Sequence, residues 1–187
     1  MVLALPRGGV PVGYEVAREL GLALDVLVVR KLGVPGEEEL ALGAVAGSGV
    51  VVVNAEIARA FGIRQEQMNA MVARERMEIA RREALYRGGR APLNAAGRTA
   101  IVVDDGLATG STMMAAVRSL RPVAARLVVA VPVGSRGACE ELRREADVVC
   151  LQTPEPFHAV GEFYGEFRQM SDAEVRDLLA EAGRGAE

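Results

Sequence analysis

Residues 99–112 read T-A-I-V-V-D-D-G-L-A-T-G-S-T. Five uncharged residues, four of them β-branched, form the kind of strand that is buried on both faces of a parallel sheet. At its carboxyl end stand two adjacent carboxylates, Asp104 and Asp105. Gly106, Ala108 and Thr109-Gly110-Ser111-Thr112 then lead into a helical pattern that runs to Leu120. A strand that enters such a turn and leaves it as a helix restricts the chain to α/β architectures, whose ligands lie beyond the carboxyl ends of the strands. The helix start offers unpaired N–H groups and the positive end of a dipole to a phosphate. The carboxylates beside it can accept hydrogen bonds from hydroxyls, as a sugar diol would supply. A nucleotide triphosphatase loop does not fit, because Gly106 and Gly110 are too close and Ser111 stands where the lysine belongs. The dinucleotide fingerprint also fails, at Gly8-Gly9-x-x-x-Gly13. An acidic turn that merely caps a helix would explain the threonines but not two aspartates at the end of a buried strand.

The rest of the chain follows the same alternation. A short apolar run at 2–5 ends in Pro6-Arg7-Gly8-Gly9 and passes into a helical pattern at 11–20; a second buried strand at 25–29 ends in Arg30-Lys31. Residues 33–49 are rich in glycine and carry the acidic run Glu37-Glu38-Glu39, which reads as a mobile loop plus a hairpin before a third strand at 50–53. A long charged helix over 64–87 has only a narrow apolar stripe and reads as a surface excursion. Strands at 127–131 and 148–151 flank a helix at 136–145. Ser171-Asp172-Ala173-Glu174 is a capping-box pattern that opens a last helix. The expected fold is α/β, an open, mainly parallel sheet with flanking helices, a long helical insertion and a small C-terminal hood. It forms one domain over 1–187, with its core at 1–53 and 99–151, the insertion at 54–98, and the hood and last helix at 152–187.

Composition narrows the function. With 22 basic and 25 acidic side chains the net charge is 22 − 25 = −3, so the chain as a whole draws neither nucleic acid nor acidic membranes. No apolar run is long enough to span a bilayer, and a cytoplasmic protein is expected. Cys139 and Cys150 lack metal-ligand spacing and read as reduced core thiols. The sole lysine among these basic residues is Lys31; a chain that uses arginine everywhere else points to a need for a compact ammonium there. The arginines of the long helix alternate with Glu75, Glu78 and Glu83, which suits a solvated helix or a dimer contact better than RNA. His158 reads as a surface or packing residue.

Residues 101–113, I-V-V-D-D-G-L-A-T-G-S-T-M, resemble the phosphoribosyl pyrophosphate (PRPP) signature of the type I phosphoribosyltransferases, most closely the adenine-using branch. Leu5-Pro6-Arg7-Gly8-Gly9 resembles the family's pyrophosphate loop and Val29-Arg30-Lys31 its basic pair. Ala159-Val160-Gly161-Glu162-Phe163 resembles the hood over the base. The resemblance implies a reaction in which a nitrogenous base displaces pyrophosphate from PRPP with magnesium present. Asp104 and Asp105 would hold the ribose diol and the magnesium shell, directly or through water. Gly106 and Ala108, Thr109, Gly110, Ser111 and Thr112 would cradle the 5-phosphate. Arg7, Gly8, Gly9, Arg30 and Lys31 would take the pyrophosphate, with Arg7, Lys31 and Asp105 as the catalytic set, and Phe157 and Val160 would meet the base.

Ala108 stands where oxopurine-using members place an aspartate, which argues against hypoxanthine or guanine. A homodimer is expected. The rival reading is a PRPP-sensing regulatory protein of the same fold without catalysis; the basic pair and the Arg7 loop favour the enzyme, because a sensor has less use for a stabilised leaving group.

Overall fold

The computed structural model describes residues 1–47 and 49–184. Five parallel strands form the central sheet: β1 (Val2–Ala4), β2 (Leu24–Val26), β6 (Thr99–Val103), β7 (Arg126–Val133) and β8 (Asp147–Gln152), in the order β2-β1-β6-β7-β8. From β1 the chain moves outward to β2 through α1 (Gly9–Leu20). From β6 it moves the other way, through α4 (Ser111–Leu120) to β7 and through α5 (Arg136–Leu142) to β8. The direction of winding therefore reverses between β1 and β6, and the loops that leave these two strands diverge and open a crevice. On one face of the sheet Leu3, Val102, Val129 and Val131 pack with Met113, Val117 and Leu142 of α4 and α5. On the other, Val2, Ala4 and Val103 pack with Val10 and Ala17 of α1 and with Val175 and Leu179 of α6 (Asp172–Arg184). Among the described residues no helix is long and apolar enough to cross a membrane.

Three expectations need correction. The second strand stops at Val26, and its expected continuation is β3 (Val29–Val34), which belongs to a separate antiparallel sheet in the order β3-β4-β5. Of the segment expected as a mobile loop plus a hairpin, the hairpin is present as β4 (Glu37–Ala46) paired antiparallel to β3, but β4 also takes most of the stretch expected as loop; of that segment, Ser48 lies outside the described residues. The third strand, β5 (Val51–Val53), pairs with β4 and not with the core sheet. Val28 and Ala46 are buried, but Val53 is exposed, so an apolar run alone did not reveal which sheet it joins.

The long helix is also more than a surface excursion. α3 (Gln65–Arg87), preceded by α2 (Ala55–Ala60), buries Met68, Glu75, Ile79 and Tyr86, and its apolar residues join the same cluster as α1, α6 and β1. Its last residue, Arg87, donates from Nε to both oxygens of buried Asp25 at 3.0 Å, from Nη2 to the Val26 carbonyl at 3.1 Å, and meets Glu83 at 2.9 Å. Leu93 N–H donates to the same Asp25 carboxylate at 2.9 Å. Strand β2 is thus closed at its outer edge by side-chain and loop contacts. The capping box before α6 forms as expected: Ser171 N–H donates to Glu174 at 2.8 Å, and Glu174 N–H donates back to the Ser171 hydroxyl at 3.3 Å.

Candidate functional site

The crevice between β1 and β6 is built by two glycine loops. After β1, Gly8 and Gly9 press against the end of β6 so closely that neither position has room for a side chain. A Cβ on Gly8 would lie 1.8 Å from Asp105 Oδ2, and one on Gly9 would lie 2.7 Å from the Val103 carbonyl oxygen and 2.8 Å from the Asp104 Cα. At Gly9 the atoms met are backbone, so the demand for glycine is steric; at Gly8 a Cβ would force the Asp105 side chain aside. The Arg7 loop and the aspartate pair, from opposite halves of the chain, are therefore one structure.

After β6, the turn that precedes α4 is braced from behind. Leu107 N–H donates to the Val133 carbonyl at 3.0 Å, Ser135 N–H donates to the Leu107 carbonyl at 2.8 Å, and the Ser135 hydroxyl donates to the Ala108 carbonyl at 2.7 Å. Gly110 adopts φ +72°, a conformation that favours glycine, and Ala138 Cβ, 3.1 Å from where a Cβ would be, leaves little room for a larger residue. With these carbonyls pinned, no protein acceptor among the described residues takes the N–H groups of Ala108, Thr109, Gly110 or Thr112. They line a small cavity of about 170 Å³ together with Asp104, Gly106, Ser111 and Val160. Unpaired amides at the start of a ten-residue helix favour an anion.

Asp104 and Asp105 form the wall between this cradle and a larger cavity. Burial first, and then repulsion from Asp105, push the Asp104 carboxyl up to about 8. Burial also raises Asp105, which faces the second cavity of about 660 Å³ with Arg7, Gly8, Pro11, Val12, Tyr164 and Phe167. Tyr164 donates its hydroxyl to the Asp105 backbone carbonyl at 2.6 Å and ties the hood segment to the end of β6. Burial, followed by the two aspartate charges, moves its phenol up to about 12. Two half-buried carboxylates kept close to each other at the walls of cavities suit cationic or hydroxyl partners. Among the described residues no group of three or more His, Cys, Asp and Glu side chains could hold a metal alone. A divalent cation at Asp104 and Asp105 would therefore share its shell with ligand oxygens, a fit that suits magnesium.

The other expected residues divide. Arg7 reaches the larger cavity and lies 3.8 Å from Asp172, which also accepts a hydrogen bond from Tyr86 at 2.8 Å. Arg30 and Lys31 are consecutive on a strand and point to opposite sides. Lys31 lines a cleft of about 290 Å³ with Thr109, Gly110 and Ser111, next to the phosphate-type cradle. Arg30 faces α3, where its Nε donates to buried Glu75 at 2.8 Å, and it lines none of these three cavities. Phe157 stacks on Phe163 at 5.5 Å between ring centroids and also lines none of them. Val160 does reach the cradle, where a Cβ on Gly106 would meet its Cγ1 at 2.6 Å. Sequence reasoning misses Glu75, Asp172 and the clamp made by Tyr164. A glutamate in a charged helix and a tyrosine in an aromatic segment carry no signal of their own until packing supplies the partner.

The model of the family described as "Phosphoribosyl transferase domain" matches residues 1–165. Over 186 residues the chain is 46% identical to the protein of Mycobacterium tuberculosis (strain H37Rv) named "Putative phosphoribosyl transferase Rv0571c", covering 98% of this chain and 42% of that one. The counterpart from strain CDC 1551, "Putative phosphoribosyl transferase MT0597", gives the same figures. The chain thus spans less than half the length of these curated relatives. Among solved structures, that of the protein TT1426 from Thermus thermophilus superposes with a TM-score of 0.85 at 44% identity, covering 96% of this chain and 86% of that one.

Proposed function

Since the chain belongs to the phosphoribosyl transferase domain family, we propose that it transfers the phosphoribosyl group of PRPP to a nitrogenous base and releases pyrophosphate. The observation that carries this reading is the contact of Gly8 and Gly9 with Asp104 and Asp105. The Arg7 loop, the aspartate pair and the phosphate-type cradle thereby stand edge to edge, which supports a ligand whose sugar is flanked by two phosphate groups.

In this reading the amides of Ala108 to Thr112, with the hydroxyls of Thr109 and Ser111, hold the 5-phosphate. Asp104 and Asp105 accept from the 2- and 3-hydroxyls and fix the ribose ring. The base nitrogen bonds to the anomeric carbon as the bond from that carbon to the pyrophosphate oxygen breaks, and the electron pair leaves with the pyrophosphate. Negative charge then grows on the departing group, where Arg7 and the Gly8 and Gly9 amides stabilise it without reorganising. Contrary to the expectation from sequence, Lys31 does not share the Arg7 cavity; its positive charge lies in the cleft beside Thr109 to Ser111, on the 5-phosphate side, while Glu75 holds Arg30 on the far side of β3. Asp104, Asp105 and ligand oxygens would hold magnesium, which would supply positive charge to the diphosphate and to the two carboxylates. Pinning the Asp105 carbonyl with Tyr164 keeps the diol pair in register with the hood.

The test is a panel of nucleobases and related nitrogen heterocycles, each incubated with PRPP and magnesium and followed by pyrophosphate release. Release with one acceptor supports the enzyme. PRPP binding without release for any of them would make the protein a sensor, and absence of PRPP binding would overturn the reading.

A further inference from the structure

Arg7 lines the larger cavity from a loop whose backbone is fixed where Gly8 meets Asp105. Its side chain is fixed from far away in sequence. Among the described residues its one ion-pair partner is Asp172, whose Oδ1 lies 3.8 Å from Arg7 Nη1. That separation is longer than a hydrogen bond, and the Arg7 guanidinium donates to no described residue. Arg30 on Glu75 at 2.8 Å and Arg87 on Asp25 at 3.0 Å give the contrast, because those guanidinium groups are already committed. Arg7 is attracted and oriented while its N–H donors stay free for a ligand.

Asp172 is itself held in place. It is the first residue of α6, where the helix dipole favours a carboxylate, and its Oδ1 accepts the Tyr86 hydroxyl at 2.8 Å. Tyr86 is buried in the cluster shared by α1, α3 and α6. Burial first, and then the bond to Asp172, push its phenol up to about 12, so it remains a donor across the neutral range. Arg81 and Arg82, the neighbouring cations on α3, are paired to Glu78. The Asp172 carboxylate is thereby left to Arg7.

We propose that Tyr86 and Asp172 are positioning residues that aim Arg7 at the diphosphate, an inference that rests on the reading of this site as one for PRPP. Tyr86 keeps the carboxylate from swinging onto Arg7, and the carboxylate keeps Arg7 from turning out to water. Asp172 also repels a diphosphate, but its side chain is 47% exposed, so water screens that repulsion. A guanidinium out of place forfeits the parallel charge-assisted bonds that its fork makes to a phosphate. Orientation therefore outweighs repulsion.

Calorimetric titration of the full chain with PRPP and magnesium, and separately with ribose 5-phosphate, tests this. Ribose 5-phosphate lacks the diphosphate and so reports on the cradle and the aspartate pair without Arg7. Tyr86→Phe, which alters no charge, should raise the PRPP dissociation constant by about tenfold and leave that of ribose 5-phosphate unchanged. Asp172→Asn, at a half-exposed position, should do the same without touching the core, and Asp172→Glu should recover part of the loss. In an Arg7→Met background Tyr86→Phe should weaken PRPP binding no further, since the pair acts through Arg7. A parent that binds PRPP while both variants bind it as tightly, or more tightly, would overturn the pair and leave the PRPP reading standing. An equal loss for both ligands would overturn it too, by marking a merely structural role. A parent that binds neither ligand removes the PRPP reading and the pair together.

Discussion

A half-buried carboxylate beside another carboxylate is a liability to a protein unless a ligand uses it. Asp104 is held near 8 while its unfolded value lies near the ordinary carboxylate range. Between these values the folded state keeps a proton that the unfolded state has released. The stability from this group is therefore fully present at pH below about 4 and is lost as pH rises through about 8. A melting-temperature profile of the ligand-free protein should fall across that window, and Asp104→Asn should flatten it; an unchanged slope in the variant would refute the assignment. Asp105→Asn keeps the shape and removes one charge. The ligand-free protein should be as stable as the parent or slightly more so, while PRPP–magnesium binding weakens by about 1.5–3 kcal/mol, the usual value of a hydrogen bond to a charged group. Calorimetry and thermal unfolding of that one variant separate the two effects. A structural cap would show the reverse, about 1 kcal/mol of lost stability and intact affinity.

At the scale of elements, the decisive device is α3 bolted onto β2. Arg87 commits its guanidinium to Asp25, Glu83 and the Val26 carbonyl, so its loss would leave two acidic side chains without their cation. Arg87→Met should therefore destabilise the fold by about 3–5 kcal/mol, read as a shift in the denaturant midpoint at constant slope. Breaking an exposed pair on the same helix, such as Arg81 with Glu78, should leave that midpoint nearly unchanged. This contrast explains why α3 reads as an excursion in sequence. Its mean pattern is polar, but four buried positions and one terminal ion cluster tie it to the core. The element boundaries that were legible, β6, α4 and the start of α6, are those with a sharp change of chemistry at their ends. The β2–β3 break was not legible because Leu27 and Val28 continue the apolar run and are buried even though they lie between two sheets.

For the whole molecule, ligand binding should act as a staple. The Arg7 loop follows β1 and the aspartate and phosphate loops follow β6, so one PRPP molecule would join both sides of the switch point. With magnesium at saturating concentration it should stabilise the fold by mass action, about 2.7 kcal/mol at a hundredfold excess over the dissociation constant, read as a higher melting temperature. Ribose 5-phosphate, which lacks the diphosphate, should raise it less. No shift with either ligand at millimolar concentration would be incompatible with the site.

The sequence by itself determined the parts whose chemistry is local. A buried strand followed by two carboxylates, a glycine-bearing turn and a helix start read as a phosphate-and-diol loop wherever the strand is placed. Tertiary structure alone decided what those parts meet. The reversal of winding between β1 and β6 puts Gly8 against Asp105. Alternation along β3 sends Lys31 toward the cradle and Arg30 toward Glu75. Packing turns Tyr164 from one aromatic among several into the clamp on Asp105. None of these pairings has a sequence signal of its own, because each depends on which faces and edges the strands share once their backbone hydrogen bonds have formed, and that is a property of the assembled sheet.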